Sequence, residues 1–177
     1  MTPPVRRLVA ALALGATLAT AGCGSSRATT AATINGSVIS QNDVSTAVQQ
    51  VNEMEPALLQ TKLTPSSALT ALIQAPVVLD FLGGRGLVVS DSVATREAQN
   101  RGVSEPSSST LDIIRLASSI TAAQSSGQLT QDDTVALSDK LRSQRVEVNP
   151  RYGTFNAETA SVDLGLPAWV TLDNTSK

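Results

Sequence analysis

Cys23 is the one thiol in this chain of 177 residues, and the residues before it suggest a chemistry for it. Arg6 and Arg7 lead into an uncharged run from Leu8 to Ala21, and the small residues Ala21 and Gly22 stand directly before the cysteine. As a helix this run is about 21 Å long at ~1.5 Å per residue. A bilayer core of roughly 30 Å needs about 20 apolar residues, so the run reads as the apolar stretch of an export signal and not as a membrane span. A single thiol in an exported chain calls for a purpose.

The rest of the chain offers little chemistry. It contains no histidine, which excludes Ser-His-Asp and Cys-His catalysis, histidine-containing zinc sites and histidine acid–base work near neutral pH. Asp132, Asp133 and Asp139 could suggest metal binding, but an acidic first helical turn, favoured by the macrodipole, explains them better. Ser138-Asp139-Lys140 lacks the Ser-x-x-Lys spacing of a serine–lysine hydrolase. The tract Gly83-Gly84-Arg85-Gly86 follows a helix and lacks the spacing of either nucleotide motif, so it reads as a helix C-terminus. Asn35-Gly36-Ser37 and Asn174-Thr175-Ser176 match the glycosylation sequon, for which no use is expected. No catalytic, metal or cofactor-binding residues emerge.

Composition narrows the class. Hydrophobic residues make up 41% of the chain but aromatic residues only 2%, so the core must be built from Ala, Leu, Val and Ile. Such side chains suit close helix packing. A net charge of −2 offers no basic field for phosphates and argues against a nucleic-acid partner. Removing residues 1–22 leaves about 155 residues, enough for one domain with its own core.

The elements follow from spacing. Gly24 to Thr30 is small and polar, as a flexible tether would be. Ala32-Thr33-Ile34 and Ser37-Val38-Ile39 flank Asn35-Gly36, a tight-turn pair, and predict a short hairpin. Ser40 with Asp43 is a capping box that opens a helix over about 41–54, with Val44, Val48 and Val51 on one face. A second helix starts near Pro65, and Pro76 inside it should kink or split it near Gln74. A short polar helix runs from Ser90-Asp91 to about Arg101. Another starts at Ser109-Thr110-Leu111-Asp112 and carries Ile113, Leu116 and Ile120 to about Gln124. The last opens at Thr130-Gln131-Asp132-Asp133, with Leu137 and Leu141 one turn apart. Val146 to Val148 alternates and reads as a strand that should pair with the Ile34 region. From about Asn156 no dependable pattern appears. Trp169, the only tryptophan, either anchors the C-terminal tail or contacts a partner.

Two resemblances add to this reading. Leu18-Ala19-Thr20-Ala21-Gly22-Cys23 resembles the lipobox of bacterial lipoproteins, whose cysteine is acylated and becomes the first mature residue. Thr20 departs from the usual Leu, Val or Ile. The stretch Ala32 to Val44, then Gly86-Leu87-Val88-Val89-Ser90-Asp91, then Val148-Asn149-Pro150-Arg151-Tyr152-Gly153-Thr154-Phe155, is similar to the SurA-type N-terminal domain of periplasmic chaperones and membrane-anchored foldases. That resemblance covers about residues 31–155. It implies a mainly α, SurA N-terminal-like domain with a very small sheet formed by its distant ends. Full members of those families also carry parvulin prolyl-isomerase domains with histidines, and this chain has neither the length nor the residues for one.

The organisation expected is therefore a lipoprotein signal peptide at 1–22, a lipidated tether at 23–30, a helical domain at 31–155 and a tail, packed or extended, at 156–177. The function expected is a chaperone-like module, not an enzyme, held by Cys23 on the extracytoplasmic face of the cell membrane and binding unfolded or exported polypeptides. The alternative is an adaptor lipoprotein docking one cell-envelope partner. Neither reading locates a binding surface. Acylation contributes about 0.8 kcal/mol per buried methylene, and stable anchoring takes two chains, which a diacylglyceryl thioether would supply. Cys23→Ser should leave the protein soluble or unprocessed. Mass spectrometry of the mature wild-type protein should find lipid on Cys23, and an unmodified Cys23 there would refute the lipobox reading.

Overall fold

A computed structural model describes residues 29–164 of the chain. Their first elements are β1 (Thr30–Ile34) and β2 (Ser37–Ser40), an antiparallel hairpin that pairs Thr33 with Val38 and Ile34 with Ser37. Asn35 and Gly36 turn it at φ 49° and 91°. Both angles are left-handed, which is why an Asn-Gly pair is needed there. Ser40 then caps α1 (Gln41–Glu53): its hydroxyl accepts from the Asp43 N–H, while the Asp43 carboxylate accepts from the Ser40 N–H. Val44, Ala47 and Val51 form the buried stripe of α1.

Helix α2 (Pro65–Gly83) is the spine of the molecule. Thr64 and Ser67 close a capping box at its start, with Pro65 in the first turn, where a missing N–H costs nothing. Of the kink or split expected near Gln74, the split does not occur, and the helix runs on through Pro76. A proline inside a helix costs about 3 kcal/mol or more. Here the proline ring lies on the exposed side, while Val78, Phe81 and Leu82 beyond it are buried. Burying each such side chain stabilises by roughly 1.5–3 kcal/mol, so packing on the far side of Pro76 outweighs the defect. By length and hydropathy α2 is the one described helix that would also fit a membrane span, and 56% of its apolar window is buried inside the fold. Core burial accounts for its hydrophobicity.

Helices α3 (Asp91–Asn100), α4 (Ser108–Ser126) and α5 (Gln131–Arg142) complete the helical set among the described residues. Helix α4 starts one residue before Ser109, because the cap is Ser107, whose hydroxyl accepts from the Thr110 N–H at 3.2 Å. Gln50 of α1 finishes that cap. Its Oε1 accepts from the Ser107 N–H at 2.9 Å and from the Thr110 hydroxyl at 2.6 Å, and its Nε2 donates to the Glu105 carbonyl at 3.0 Å. The link between α2 and α3 is strapped onto α4, with the Val89 N–H donating to the buried Ser119 hydroxyl at 2.9 Å.

The chain then returns to its beginning. Strand β3 (Val146–Val148) pairs antiparallel with β1, Ile34 opposite Val146 and Ala32 opposite Val148, so the sheet order is β2-β1-β3. Asn35 and Asn149 pin the two ends of this pairing: the Arg145 N–H donates to Asn35 Oδ1 at 3.0 Å, and Asn149 Nδ2 donates to the Thr30 carbonyl at 3.0 Å.

A second hairpin carries the described structure past residue 155, into the stretch where the sequence shows no pattern. It consists of β4 (Thr154–Asn156) and β5 (Ser161–Asp163). Gly153, at φ 121°, lets the backbone pass close to the Asp163 carbonyl; a Cβ there would lie 2.2 Å from that oxygen. A polar row on α2, spaced one turn apart, holds this end of the chain. Ser66 donates to the Tyr152 carbonyl at 2.9 Å, Thr70 Oγ1 accepts from the Val162 N–H at 2.8 Å, and Gln74 donates to the Ala160 carbonyl at 2.9 Å. The residues from Thr154 to Asp163 thus form a hairpin docked on α2.

Two apolar clusters share α2. The larger joins β1, α1, the first half of α2, α3, the first half of α4, Tyr152 and Val162. The smaller joins Ala75, Val78, Phe81 and Leu82 of α2 with Leu116 and Ala123 of α4. Removing the chain from Val146 onward would keep all five helices but expose Ile34 and delete Tyr152 and Val162. At ~1.5–3 kcal/mol each the loss is about 5 kcal/mol or more, against a typical total of roughly 5–15. Urea titration of that truncated protein should show a broad, non-cooperative transition. An unchanged midpoint would show that the returning strands are dispensable.

Candidate functional site

A large opening lies over the smaller cluster. It is a cleft of about 500 Å³ between α2, α4 and α5. Val78, Phe81 and Leu82 form its floor, Ile120 and Ala123 one wall, and Leu129, Leu137 and Leu141 the other. Its size falls within the roughly 300–1,000 Å³ of ordinary ligand pockets, and its apolar lining with a few polar groups at the rim fits that class.

The wall made by α5 differs from the rest. Helix α5 buries none of its residues. Leu137 and Leu141 are half-buried against the cluster, and Val135 faces solvent. The helix forms here for local reasons. The Thr130 hydroxyl accepts from the Asp133 N–H, and the Asp133 carboxylate accepts from the Thr130 N–H at 3.0 Å and its hydroxyl at 2.9 Å. Acidic residues occupy its first turn and Lys140 and Arg142 its last, both favourable to the helix dipole.

Both ends of α5 are tied to the rest of the fold. At its start, Asp133 forms an ion pair with Arg85. Arg85 is itself held by α2: its guanidinium lies 3.7 Å from the centre of the Phe81 ring and donates to the Phe81 carbonyl at 2.9 Å. Past the other end, the side chain of Gln144 shares a shallow opening with Pro76 and Val77. The next residue ties this exit to the first hairpin: the Arg145 N–H donates to Asn35 Oδ1 at 3.0 Å, and its carbonyl accepts from the Asn35 N–H at 2.9 Å.

The Thr130 N–H and hydroxyl, together with Arg85, hold the Asp133 carboxyl down to about 2 from its usual 3.8, with the Thr130 backbone bond first in size. On α4, burial raises the Asp112 carboxyl, and Arg115, 3.8 Å away, opposes that shift. Arg115 also pairs with Asp91 at 2.9 Å, which ties α3 to α4.

The residues singled out by sequence fall as follows. Cys23, the signal stretch 1–22, nearly all of the tether and Trp169 lie outside the described residues. Asp133 is the capping and latching residue of α5. Asp139 makes a long, exposed pair with Arg142 at 3.7 Å, and Lys140 another with Asp80 at 3.9 Å. Among the described residues no three His, Cys, Asp or Glu side chains are grouped to hold a metal ion. Sequence reasoning missed Arg85, read only as part of a helix-ending turn, and missed Phe81 as the floor of a cleft. The one available signal was the Leu137–Leu141 spacing. No family model, curated protein or solved structure matches this chain.

The Asp133 titration has a defined sign. Its folded-state value is depressed, so its contribution is fully present above the unfolded value of 3.8 and is lost as pH falls through about 2. NMR titration of the Asp133 carboxyl carbon should give a midpoint near 2, moving up toward 3.8 in the Arg85→Gln protein. A wild-type midpoint near 3.8 would mean that neither the capping box nor the Arg85 latch forms.

Proposed function

We propose that this protein is a membrane-anchored, chaperone-like module, lipidated at Cys23 on the extracytoplasmic face, that holds apolar stretches of unfolded exported polypeptide without acting on them chemically. The observation that carries the reading is the apolar cleft over Val78, Phe81, Leu82, Ile120 and Ala123, open along α5. It has room for a few aliphatic side chains. Each buries for roughly 1.5–3 kcal/mol, and association and ordering consume much of that gain. The net affinity is on the order of micromolar to millimolar, weak and quickly reversible, as a holding function requires.

The SurA-type resemblance supports the same reading. Its opening motif falls on β1, β2 and the start of α1, its Gly86–Asp91 motif joins α2 to α3, and the chain closes by returning to β1. In this reading the described residues are a polypeptide-binding module of the foldase type.

The protein beginning at Gly24 should reduce light scattering from an aggregating unfolded client and should not accelerate a proline-limited refolding reaction. Ile120→Asp, at a half-buried position on the cleft wall, should keep the fold and abolish the suppression. Suppression unchanged in Ile120→Asp would remove the cleft from the account, and isomerase acceleration would overturn the non-catalytic reading. No suppression, together with one tight envelope partner, would favour adaptor docking.

A further inference from the structure

We propose that the cleft recognises an amphipathic helical segment of its client, and that α5 is a resident stand-in which this segment displaces. The inference rests on the reading that the cleft binds polypeptide, and it specifies the class of segment.

The argument begins with what α5 presents to the cleft. Asp133, Leu137 and Leu141 are spaced by four residues each and lie along one face of the helix. Leu137 and Leu141 line the apolar wall, and Asp133 meets Arg85 at the mouth. Arg85 does not depend on Asp133 for its position, because stacking on Phe81 and the bond to the Phe81 carbonyl hold it on α2. The cleft therefore carries a preset cation at one end and an apolar trough beyond it. An acidic residue followed by leucines four and eight positions later is complementary to that pattern, and any helix bearing it can replace α5.

The attachment of α5 makes replacement feasible. None of its residues is buried, and its start is held by a solvent-accessible ion pair. Gly127, at φ 64°, ends α4, and only Gln128 and Leu129 precede the Thr130 cap, while past its exit Arg145 stays bonded to Asn35. Release at the start of α5 frees Arg85 for a new carboxylate. Charge complementarity selects the occupant. A second copy of the chain exchanging α5 would satisfy the same contacts, and the test separates the two.

The probe is a fluorescein-labelled synthetic peptide with the sequence of residues 128–145, titrated by anisotropy into the protein beginning at Gly24. Apparent affinity scales with the fraction of open protein. Asp133→Asn, which loosens the latch but keeps Arg85, should therefore bind the peptide about fivefold or more tightly than wild type. A second peptide with Asn in place of the aspartate at position 133 should bind Asp133→Asn protein more weakly than the first. In Arg85→Gln protein the two peptides should bind alike, and raised salt should erase the difference in Asp133→Asn as well. Equal affinity of wild type and Asp133→Asn for the first peptide would make α5 a fixed wall and overturn the inference. If that protein still suppressed client aggregation, the holding function would stand without it; if suppression were also absent, both would fall. A concentration-dependent dimer of Asp133→Asn in sedimentation, with no peptide bound, would assign the cleft to exchange between copies and overturn the proposal.

Discussion

The structure depends on one demand: an apolar helix of 19 residues, α2, must be covered on nearly every side. Leu69, Leu72 and Ile73 are buried in the larger cluster, and Val78, Phe81 and Leu82 in the smaller. The remaining face is polar, and its Ser66, Thr70 and Gln74 are spent on backbone groups of the returning chain. No single neighbouring element is long enough to cover α2. Helices α1 and α3 with β1 gather around its first half, α4 runs against it, and the C-terminal hairpin closes the polar row. The continuity of α2 through Pro76 follows from the same demand, because both halves have cores to fill.

Coverage is complete at one end only. Around the first half of α2, buried residues come from strands, helices and the C-terminal turn. Around the second half, α5 contributes no buried residue and leaves a cleft of about 500 Å³. The same unmet burial that leaves the cleft apolar also leaves its cover weakly held, since stability in a fold is distributed unevenly according to local burial. A surface of this kind can take up apolar side chains from another chain at little structural cost. The proposed function uses this asymmetry.

Legibility from sequence followed the range of the interactions. The caps at Ser40–Asp43 and Thr130–Asp133 are contacts over three residues, and the Asn35-Gly36 turn is more local still; all were readable. The return of Val146–Val148 to β1 was also anticipated, from alternation next to Pro150 and from the resemblance, which implied a sheet formed by distant ends. The continuity of α2 was not readable, since propensity at Pro76 points the wrong way and tertiary burial overrides it. The β4–β5 hairpin was hidden because its strands are three residues each and draw on Thr70 and Gln74, about 86 to 92 positions away in sequence. At the cleft, the spacing of Leu137 and Leu141 announced an amphipathic helix. It said nothing of what they face, and Arg85 gains its role only from a partner 48 residues on.

The central claim is that α2 and its main cluster form a rigid unit while α5 is a weakly held cover over an apolar cleft. Native-state hydrogen exchange tests it most directly. Amides of Leu69, Leu72 and Ile73 should exchange only through global unfolding, with protection that falls steeply with added denaturant. Amides from Val135 to Leu141 should exchange through a local opening of much lower free energy, nearly independent of denaturant. Protection of the α5 amides equal to that of α2, with the same denaturant dependence, would show one cooperative unit and contradict the account.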